Sequence, residues 1–590
     1  MKFLLLMVVA VGCATAKPQR DVYMTALTRK PSAEVRAALH STDPQQRLRA
    51  TVAAGRLQDP AALEELTAML TESRLMGNAA AWSLSRIEGG QPALIKCVDE
   101  LCPGAGVAAR NLTDVDALLR ALRGPAAQLA ALQLGVLARS KIAFPGNTAA
   151  LLAAAAAELR KDGLEDGPVY ALSRLPRSSA PEIQPALLAA FESRDAWTRS
   201  LAARAWGRHG LPANKLPLRD ADLGVRIEAA RALATAADAR LEFHGTEALG
   251  IDLLSESPHV VITLLESAAA LKVLAPAPEL FQHPAVRCAA AQSRDRVRKQ
   301  LIDTPACESG WHGRARTGAL AAELELQVEA RKAFADEDGR VRGAAAGAAG
   351  AVFAEDLRTL LQDADPYVVQ QAAQSLAKDS GSREAALAAV HRLAPAHLKP
   401  SGDPAGDALI ALLAITGPVP ELLPTPNTAL ALALGMHGVP APLPPELFRE
   451  ARRLRIHTKA GELVVILHNN VAPITSAAIS ALAKRGFYDG LDFHRVVPDF
   501  VIQGGDPRGD GDGGPGWSVP DELSPLSFIR GTMGIATNGP ETGGSQFFFC
   551  NSPQPHLDGR YVVAGELTPE SLPVMDLIQP GDKIISATAE

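Results

Sequence analysis

The chain is 590 residues long, which predicts several domains, because folded domains span roughly 100–200 residues. It is 47% hydrophobic and 21% charged, which is typical of a folded protein and too apolar for a disordered one. The net charge of -6 offers no basic excess, so no nucleic-acid partner is expected. Seven of the 15 Phe residues lie after residue 450, which indicates at least two unlike regions.

Residues 1–12 have the pattern of a secretory signal. Lys2 precedes an apolar run that is too short to span a bilayer of roughly 30 Å. The small residues before Cys13 resemble the lipobox of bacterial lipoproteins, which implies cleavage before Cys13 and acylation of its thiol. The alternative is an ordinary signal peptide with an incidental Cys. In the lipoprotein interpretation residues 13–30 are a tether, the lipid is the protein's only membrane contact, and the protein faces the periplasm from the cell envelope.

Cysteine spacing agrees with export. Two pairs lie close in sequence, Cys97 with Cys102 and Cys288 with Cys307. In an oxidising compartment each pair predicts a local disulfide. The alternative is a zinc site with His283 or His312 as further ligands, but the spacings match no standard zinc pattern, and no metal is expected.

Residues 31–400 repeat one local pattern, in which an Asp opens a short segment with apolar residues and Ala on one face. The pattern begins at Asp43, Asp195, Asp222, Asp338 and Asp365. A period near 30 residues with two helices per unit is typical of a solenoid. Each Asp is expected to cap a helix by accepting backbone N–H bonds.

The pattern resembles the HEAT repeat family, which implies an N-terminal all-α solenoid. Pro44 and Pro366 fit the first helical position, where a missing N–H costs nothing. Two roles stay open: a curved surface that binds a protein partner, and a spacer that holds another domain away from the membrane. Residues 401–450 are rich in Pro and predict a stiff connector with short helices.

Residues 451–590 change from helical to strand-like periodicity. Residues 456–467 predict two strands around a Gly-containing turn, and Pro473–Lys484 predicts one amphipathic helix with Pro at its start. A glycine-rich loop at 509–516 lacks the ending of a phosphate-binding loop and the final Glu of an EF-hand, so it predicts a surface loop.

Three blocks carry a specific resemblance: FHRVVPDFVIQGGD at 493–506, GSQFFF at 544–549 and LDGRYVV at 557–563. In this order and spacing they resemble a cyclophilin, a peptidyl-prolyl cis-trans isomerase. The resemblance implies a closed eight-stranded β-barrel with capping helices and a shallow proline pocket. It also implies proline-containing polypeptide clients, no cofactor, no metal and no covalent intermediate.

Matched residue by residue, the resemblance makes Arg495 the catalytic hydrogen-bond donor and Gln503 the residue that orients it. The X–Pro amide resists rotation by about 18–20 kcal/mol, because nitrogen shares its lone pair with the carbonyl. In the twisted amide that sharing is lost, so a guanidinium aimed at nitrogen stabilises the transition state more than the ground state. The implied substrate-binding positions are Phe500, Val501, Ala536, Thr537, Gln546, Phe548, His556, Leu557 and Tyr561.

Four of these positions depart from the best-known eukaryotic pattern. Val501 stands where Met is usual and Thr537 where Asn is usual, while His556 replaces a Trp and Tyr561 a His. The last two replacements also occur in bacterial members of the family. Isomerisation of X–Pro bonds in exported proteins is therefore the favoured function. The alternative is a catalytically weak adaptor or holdase-type chaperone that acts through the solenoid.

Overall fold

The computed structural model describes residues 33–140, 142–239, 256–302, 310–393, 404–416, 452–539 and 541–590, with single residues at 253, 304 and 419. The expected signal peptide, the acylation site Cys13 and the tether lie outside the described residues, as does Cys307. The described residues form two compact units, which divide between Thr113 and Asp114. Among the described helices, none combines the length and the hydropathy needed to cross a membrane.

The first unit is helical. Its helices are α1 Ala33–Leu39, α2 Pro44–Leu57, α3 Leu63–Met69, α4 Arg74–Leu84, α5 Gln91–Asp99 and α6 Ala105–Arg110. Ala and Leu side chains fill its core, and Ser83 in α4 donates a buried hydrogen bond of 2.8 Å to the Thr51 carbonyl in α2. Cys97 and Cys102 form a disulfide at the end of α5.

The second unit begins with a long run of helices. They are α7 Val115–Ala121, α8 Ala127–Leu137, α9 Thr148–Leu159, α10 Asp166–Leu172, α11 Ile183–Phe191, α12 Ala196–His209, α13 Leu223–Ala232, α14 Pro258–Ala270, α15 Pro284–Arg298, α16 Gly310–Glu323, α17 Gln327–Phe334, α18 Gly339–Ala348, α19 Ala354–Leu360, α20 Pro366–Ser375, α21 Arg383–Leu393 and α22 Pro404–Thr416. We call these helices the helical repeats.

The predicted helix starts are confirmed. Helices α12, α13, α18 and α20 each follow an Asp in extended conformation whose carboxylate accepts a backbone N–H from the first turn. Asp43 caps α2 in the same way. Pro44 and Pro366 are the first residues of their helices. These local signals succeed because capping depends only on residues within one turn.

Neighbouring helical repeats are tied together by arginines. Arg199 in α12 pairs with Asp220 before α13, at 2.7 Å and 2.8 Å. Arg342 in α18 pairs in the same way with Asp363 before α20. Each carboxylate also accepts the backbone N–H of the capping Asp that follows it. In both cases, an Arg in one helix therefore holds the carboxylate that fixes the start of a helix packed against it.

The rest of the second unit is strand-rich. Its strands are β1 Arg453–Thr458, β2 Gly461–Leu467, β3 Arg495–Val497, β4 Val501–Gly504, β5 Thr532–Ile535, β6 Phe547–Cys550, β7 Val563–Leu567 and β8 Ile584–Ala589. Helices α23 Pro473–Lys484 and α24 Leu572–Met575 accompany them. The predicted β1–β2 hairpin and the predicted bounds of α23 are confirmed.

The expectation of a closed barrel is wrong. The sheet is an open half-barrel with strand order β3-β4-β6-β5-β7-β2-β1-β8, so β3 and β8 are its edges. β3 is only three residues long. The backbone before it meets the start of β8 through separate bonds, from Gly490 to Ile584 at 2.7 Å and from Phe493 to Asp582 at 2.9 Å. An isolated antiparallel bridge between Asp492 and Lys583 links the same segments, but no continuous ladder joins β3 to β8 in the described chain.

Alternation along β6 separates the core from the opposite face of the sheet. Phe547 and Phe549 are fully buried, and Phe547 packs edge-on against Tyr488 and Phe493. Successive side chains on a strand point to opposite faces. Phe548 therefore faces the other way, as the sequence predicts.

Candidate active site

One cross-strand row carries the centre of the candidate site. Arg495 on β3 lies opposite Gln503 on β4, and Gln503 lies opposite Phe548 on β6. Phe548 in turn lies opposite Gly534 on β5. Residues that face each other across a sheet have neighbouring side chains. The ladder therefore places two predicted catalytic residues from one block beside Phe548, a predicted substrate-binding residue from a later part of the sequence.

A small apolar cluster lies beside this row. Its buried members are Val501, Phe528, Phe548, Cys550, Leu557 and Val563, and its half-buried members are Phe500, Leu526, Ala536 and Tyr561. Six of the predicted substrate-binding residues are in this cluster. Half-buried aromatic rings over a buried apolar floor form a surface that can take up a pyrrolidine ring.

The rings of this cluster have defined neighbours. Phe548 stacks on Phe528 at 5.6 Å between centroids and meets Tyr561 edge-on at 5.8 Å. Phe500 stacks on His556 at 5.6 Å. Gly534 leaves room for this packing, since a Cβ there would lie 2.3 Å from Cζ of Phe548.

The polar side of the site is a chain of side-chain hydrogen bonds. Nη1 of Arg495 donates to Oε1 of Gln503 at 3.4 Å, and Cζ of Arg495 lies 5.4 Å from the Phe500 ring centroid. Nε2 of Gln503 donates to Oε1 of Gln546 at 2.9 Å. Gln546 donates onward to the carbonyls of Gly511 and Gly513 at 2.7 Å and 2.8 Å. Because the NH2 group of Gln546 donates to the loop and that of Gln503 donates to Gln546, the amide oxygen of Gln503 is left facing the Arg495 guanidinium.

Burial shapes the charges of the site. The pKa of Arg495 lies below its ordinary value, because the effect of burial outweighs the opposing electrostatic effect of Tyr561. Burial, and then the positive charges of Arg139 and Arg174, lower the pKa of His556 to about 3. His556 is therefore neutral near pH 7, and Arg495 supplies positive charge beside the cluster.

Two predicted residues lie at the margin of the site. Thr537 is half-buried two residues after the end of β5, outside the apolar cluster. His556 reaches the cluster through its ring contact with Phe500 rather than by lining the floor. Thr537 and His556 are therefore not part of the apolar cluster.

Sequence reasoning missed Phe528 and Cys550 as members of the cluster. Phe528 is 1% exposed and lies in a segment with neither strand nor helix periodicity. Its backbone N–H donates to Asp558 at 2.8 Å, which ties it to the LDGRYVV block. Cys550 shares a face of β6 with Phe548, so two-residue alternation was a signal that could have found it. Burial raises the pKa of the Cys550 thiol.

Among the described side chains, no set of three or more His, Cys, Asp or Glu is placed to hold a metal ion. The arrangement offers an apolar ring-sized surface, an oriented guanidinium and two amide side chains. Such a site can bind a planar amide beside an apolar ring and donate one hydrogen bond to it.

Comparison with known proteins identifies the family that the strand-rich region resembles. The family model for cyclophilin type peptidyl-prolyl cis-trans isomerases matches residues 453–586. A peptidyl-prolyl cis-trans isomerase of Synechococcus elongatus is 46% identical over 132 residues, covering 22% of this chain and 91% of the relative. Peptidyl-prolyl cis-trans isomerase B of Bacillus subtilis is 49% identical over 104 residues, covering 17% of this chain and 73% of the relative. A solved cyclophilin type isomerase of Cryptosporidium parvum has 32% identity and a TM-score of 0.23, covering 24% of this chain and 98% of that chain.

Proposed function

We propose where this enzyme works and how it acts, from the premise that the chain belongs to the cyclophilin-type peptidyl-prolyl cis-trans isomerase family. It is an isomerase of that type. Its clients are exported or envelope proteins, and it assists their folding by isomerising their X–Pro bonds. Uncatalysed isomerisation takes tens to hundreds of seconds, so a folding chain gains from the catalyst.

The catalytic group is Arg495. As the amide twists, its nitrogen becomes a better acceptor, and the guanidinium donates to it. The position of Cζ at 5.4 Å from the Phe500 ring supports this role, since a proline ring seated there has its nitrogen near the guanidinium. Gln503 restrains Arg495 through its amide oxygen, and Phe548 with Leu557 supports the pyrrolidine ring.

The proposed cellular site is the bacterial envelope, with a lipid on Cys13. Two observations support it: the apolar run and small residues before Cys13, and the disulfide between Cys97 and Cys102. Disulfides persist in oxidising compartments and are rare in reducing ones. Cell fractionation of Cys13→Ser against wild type tests the anchor, and recovery of both proteins in the same membrane fraction contradicts it.

The catalytic proposal is tested on the full chain with a protease-coupled assay of a proline-containing peptide. Arg495→Ala should lower kcat/KM by about 100-fold, as the loss of one oriented donor does elsewhere. Arg495→Lys should recover part of that loss, because it keeps the charge without the guanidinium geometry. Arg453→Ala, an exposed arginine on β1, is the matched control and should leave the rate unchanged.

Equal rates for wild type and Arg495→Ala would reject this mechanism. If wild type also showed no turnover while still binding the peptide, a binding adaptor would be the better description.

A further inference from the structure

The glycine-rich loop after β4 is held by the helical repeats. Nη2 of Arg508 lies 3.2 Å from both carboxylate oxygens of Asp365, the residue that caps α20. The guanidinium of Arg508 also lies over the Tyr367 ring, at 6.0 Å from its centroid. From α18, Arg340 donates to the backbone carbonyl of Arg508 at 3.2 Å. Helices α18 and α20 therefore both hold Arg508, the residue just before the loop.

This contact is partly withdrawn from water. The side chains of Arg508 and Asp365 are 31% and 22% exposed. Arg340 stacks over Trp311 at 3.9 Å, and a Cβ on Gly509 would lie 3.7 Å from the same indole. Ion pairs shielded from solvent are screened less than exposed ones, so this pair restrains the loop more firmly than an exposed pair does.

The held loop is also the end of the polar chain in the active site. Gln546 donates both of its N–H groups to the loop, at the carbonyls of Gly511 and Gly513. This fixes which way its amide points, so its oxygen accepts from Gln503. Gln503 then presents its own oxygen to Arg495. Direct contacts thus connect α20 to the guanidinium.

A second contact holds the opposite end of β4. Asp499 is 4% exposed at its side chain and pairs with Arg204 of α12, and Arg231 of α13 donates to the carbonyl of Pro498 at 3.2 Å. Asp499 has a φ of +58° and immediately precedes Phe500. The turn that presents Phe500 is therefore also attached to the helical repeats.

We propose that the helical repeats are a positioning element of the isomerase site. Asp365 holds Arg508, and the loop so fixed holds Gln546, Gln503 and finally Arg495 over the pocket. The role is positional, because Asp365 touches none of the residues that meet the substrate. The proposal rests on the proposed role of Arg495.

The test is Asp365→Asn in the full chain. Asn keeps the cap of α20, because its side-chain oxygen can still accept the Tyr367 N–H, but it removes the negative charge. We expect kcat/KM to fall by about three- to thirtyfold, with most of the loss in kcat. Asp356→Asn is the matched control: Asp356 lies in α19, pairs with Arg331 at 3.0 Å, and is remote from the loop, so the rate should be unchanged.

A double substitution separates positioning from general loss of fold. In a Gln546→Ala background the route from the loop to Gln503 is already broken, so adding Asp365→Asn should cause no further loss of rate. Arg508→Ala removes the same contact together with the pair between Arg508 and Asp510 at 2.9 Å, so its loss of rate should be at least as large as that of Asp365→Asn. Circular dichroism and the thermal midpoint confirm that each variant folds.

The outcomes are distinguishable. Full activity in both Asp365→Asn and Arg508→Ala, or losses that add in the Gln546→Ala background, would overturn the positioning role while leaving Arg495 as the catalytic group. If Arg495→Ala itself turns over as fast as wild type, the proposed mechanism fails first.

Discussion

Arg199 of the helical repeats and Arg495 of the half-barrel have opposite roles, and other half-barrel arginines, such as Arg455 and Arg530, are paired with carboxylates as Arg199 is. In the repeats, Arg199 forms a two-bond pair with Asp220, and both side chains are largely buried, at 16% and 11% exposed. In the half-barrel, Arg495 makes a 3.4 Å bond to the neutral Gln503, and no carboxylate in the described residues pairs with it. A guanidinium that is paired with a carboxylate stabilises the fold. A guanidinium without such a partner can instead stabilise charge that develops in a substrate.

The comparison also predicts that removing these two arginines has different effects on stability. Removing Arg199 leaves Asp220 without its partner, which costs stability. Removing Arg495 leaves a neutral amide in contact with solvent, which costs little stability. The predictions below test whether stability and catalysis separate in this way.

A loss of rate with Arg495 left in place is expected from Gly534→Ala. Its Cβ would lie 2.3 Å from Phe548 and 2.7 Å from Phe528, so the ring beneath the pocket must shift although Arg495 is unchanged. Overpacking of this kind costs about 1–3 kcal/mol. We expect kcat/KM to fall at least about tenfold in the peptide assay.

The control for that variant is Gly146→Ala, because a Cβ there has no atom within 4 Å in the described structure. Its rate should match wild type. A Gly534→Ala enzyme with wild-type kcat/KM would show that the position of Phe548 does not matter for turnover.

A loss of stability without a loss of rate is expected from Arg199→Ala. The pair with Asp220 and the bond to the Ser193 carbonyl at 2.9 Å are both lost. The Asp220 carboxylate keeps the backbone N–H of Asp222 but loses its charged partner, which costs about 1–3 kcal/mol. Urea unfolding followed by the circular dichroism of the helices should show a lower midpoint. An unchanged midpoint would contradict a stabilising role for the Arg199–Asp220 pair. Arg331→Ala, which breaks an exposed pair in α17, is the control and should shift it less.

The same pair predicts a dependence of stability on pH. Burial raises the pKa of Asp220, but hydrogen bonds from Arg199 and from the backbone of Asp222 outweigh it and leave the pKa below its ordinary value of 3.8. A depressed folded pKa gives stability that is present above the unfolded pKa and is lost as pH falls through the folded one. The difference in urea midpoint between wild type and Arg199→Ala should therefore be smaller at pH 3 than at pH 7. A constant difference would contradict the assignment.

The smallest effect is expected from pH on the rate. With a pKa of about 3, His556 stays neutral from pH 5 to pH 9, and burial lowers the pKa of His494 as well. His556 should not titrate in that range and the titration of His494 is moved below its ordinary range, so kcat/KM should be nearly constant from pH 7 to pH 9. A rate that changes with a midpoint near 6.5 would place a titrating histidine in the mechanism.

Much of the local structure could be read from the sequence. The caps at Asp195 and Asp365 and the bounds of α23 follow from residues within one turn, and the two faces of β6 follow from alternation. The centre of the site was also accessible, because the FHRVVPDFVIQGGD block carries both Arg495 and Gln503.

The features that were missed depend on contacts between distant segments. The partner of Arg199 is 21 residues away, and that of Arg508 is 143 residues away. No periodicity marks either pair. The open edge of the sheet depends on how the segment around Gly490 meets Ile584 at the start of β8, a contact between positions far apart in the sequence.

The most direct measurement compares Arg495→Ala with Arg199→Ala in the full chain, with kcat/KM and the urea midpoint recorded for each. We expect Arg495→Ala to lose rate and keep its midpoint, and Arg199→Ala to lose midpoint and keep its rate. If each variant loses both kcat/KM and urea midpoint, or if Arg495→Ala keeps its rate, the assignment of Arg495 to catalysis and Arg199 to stability is contradicted.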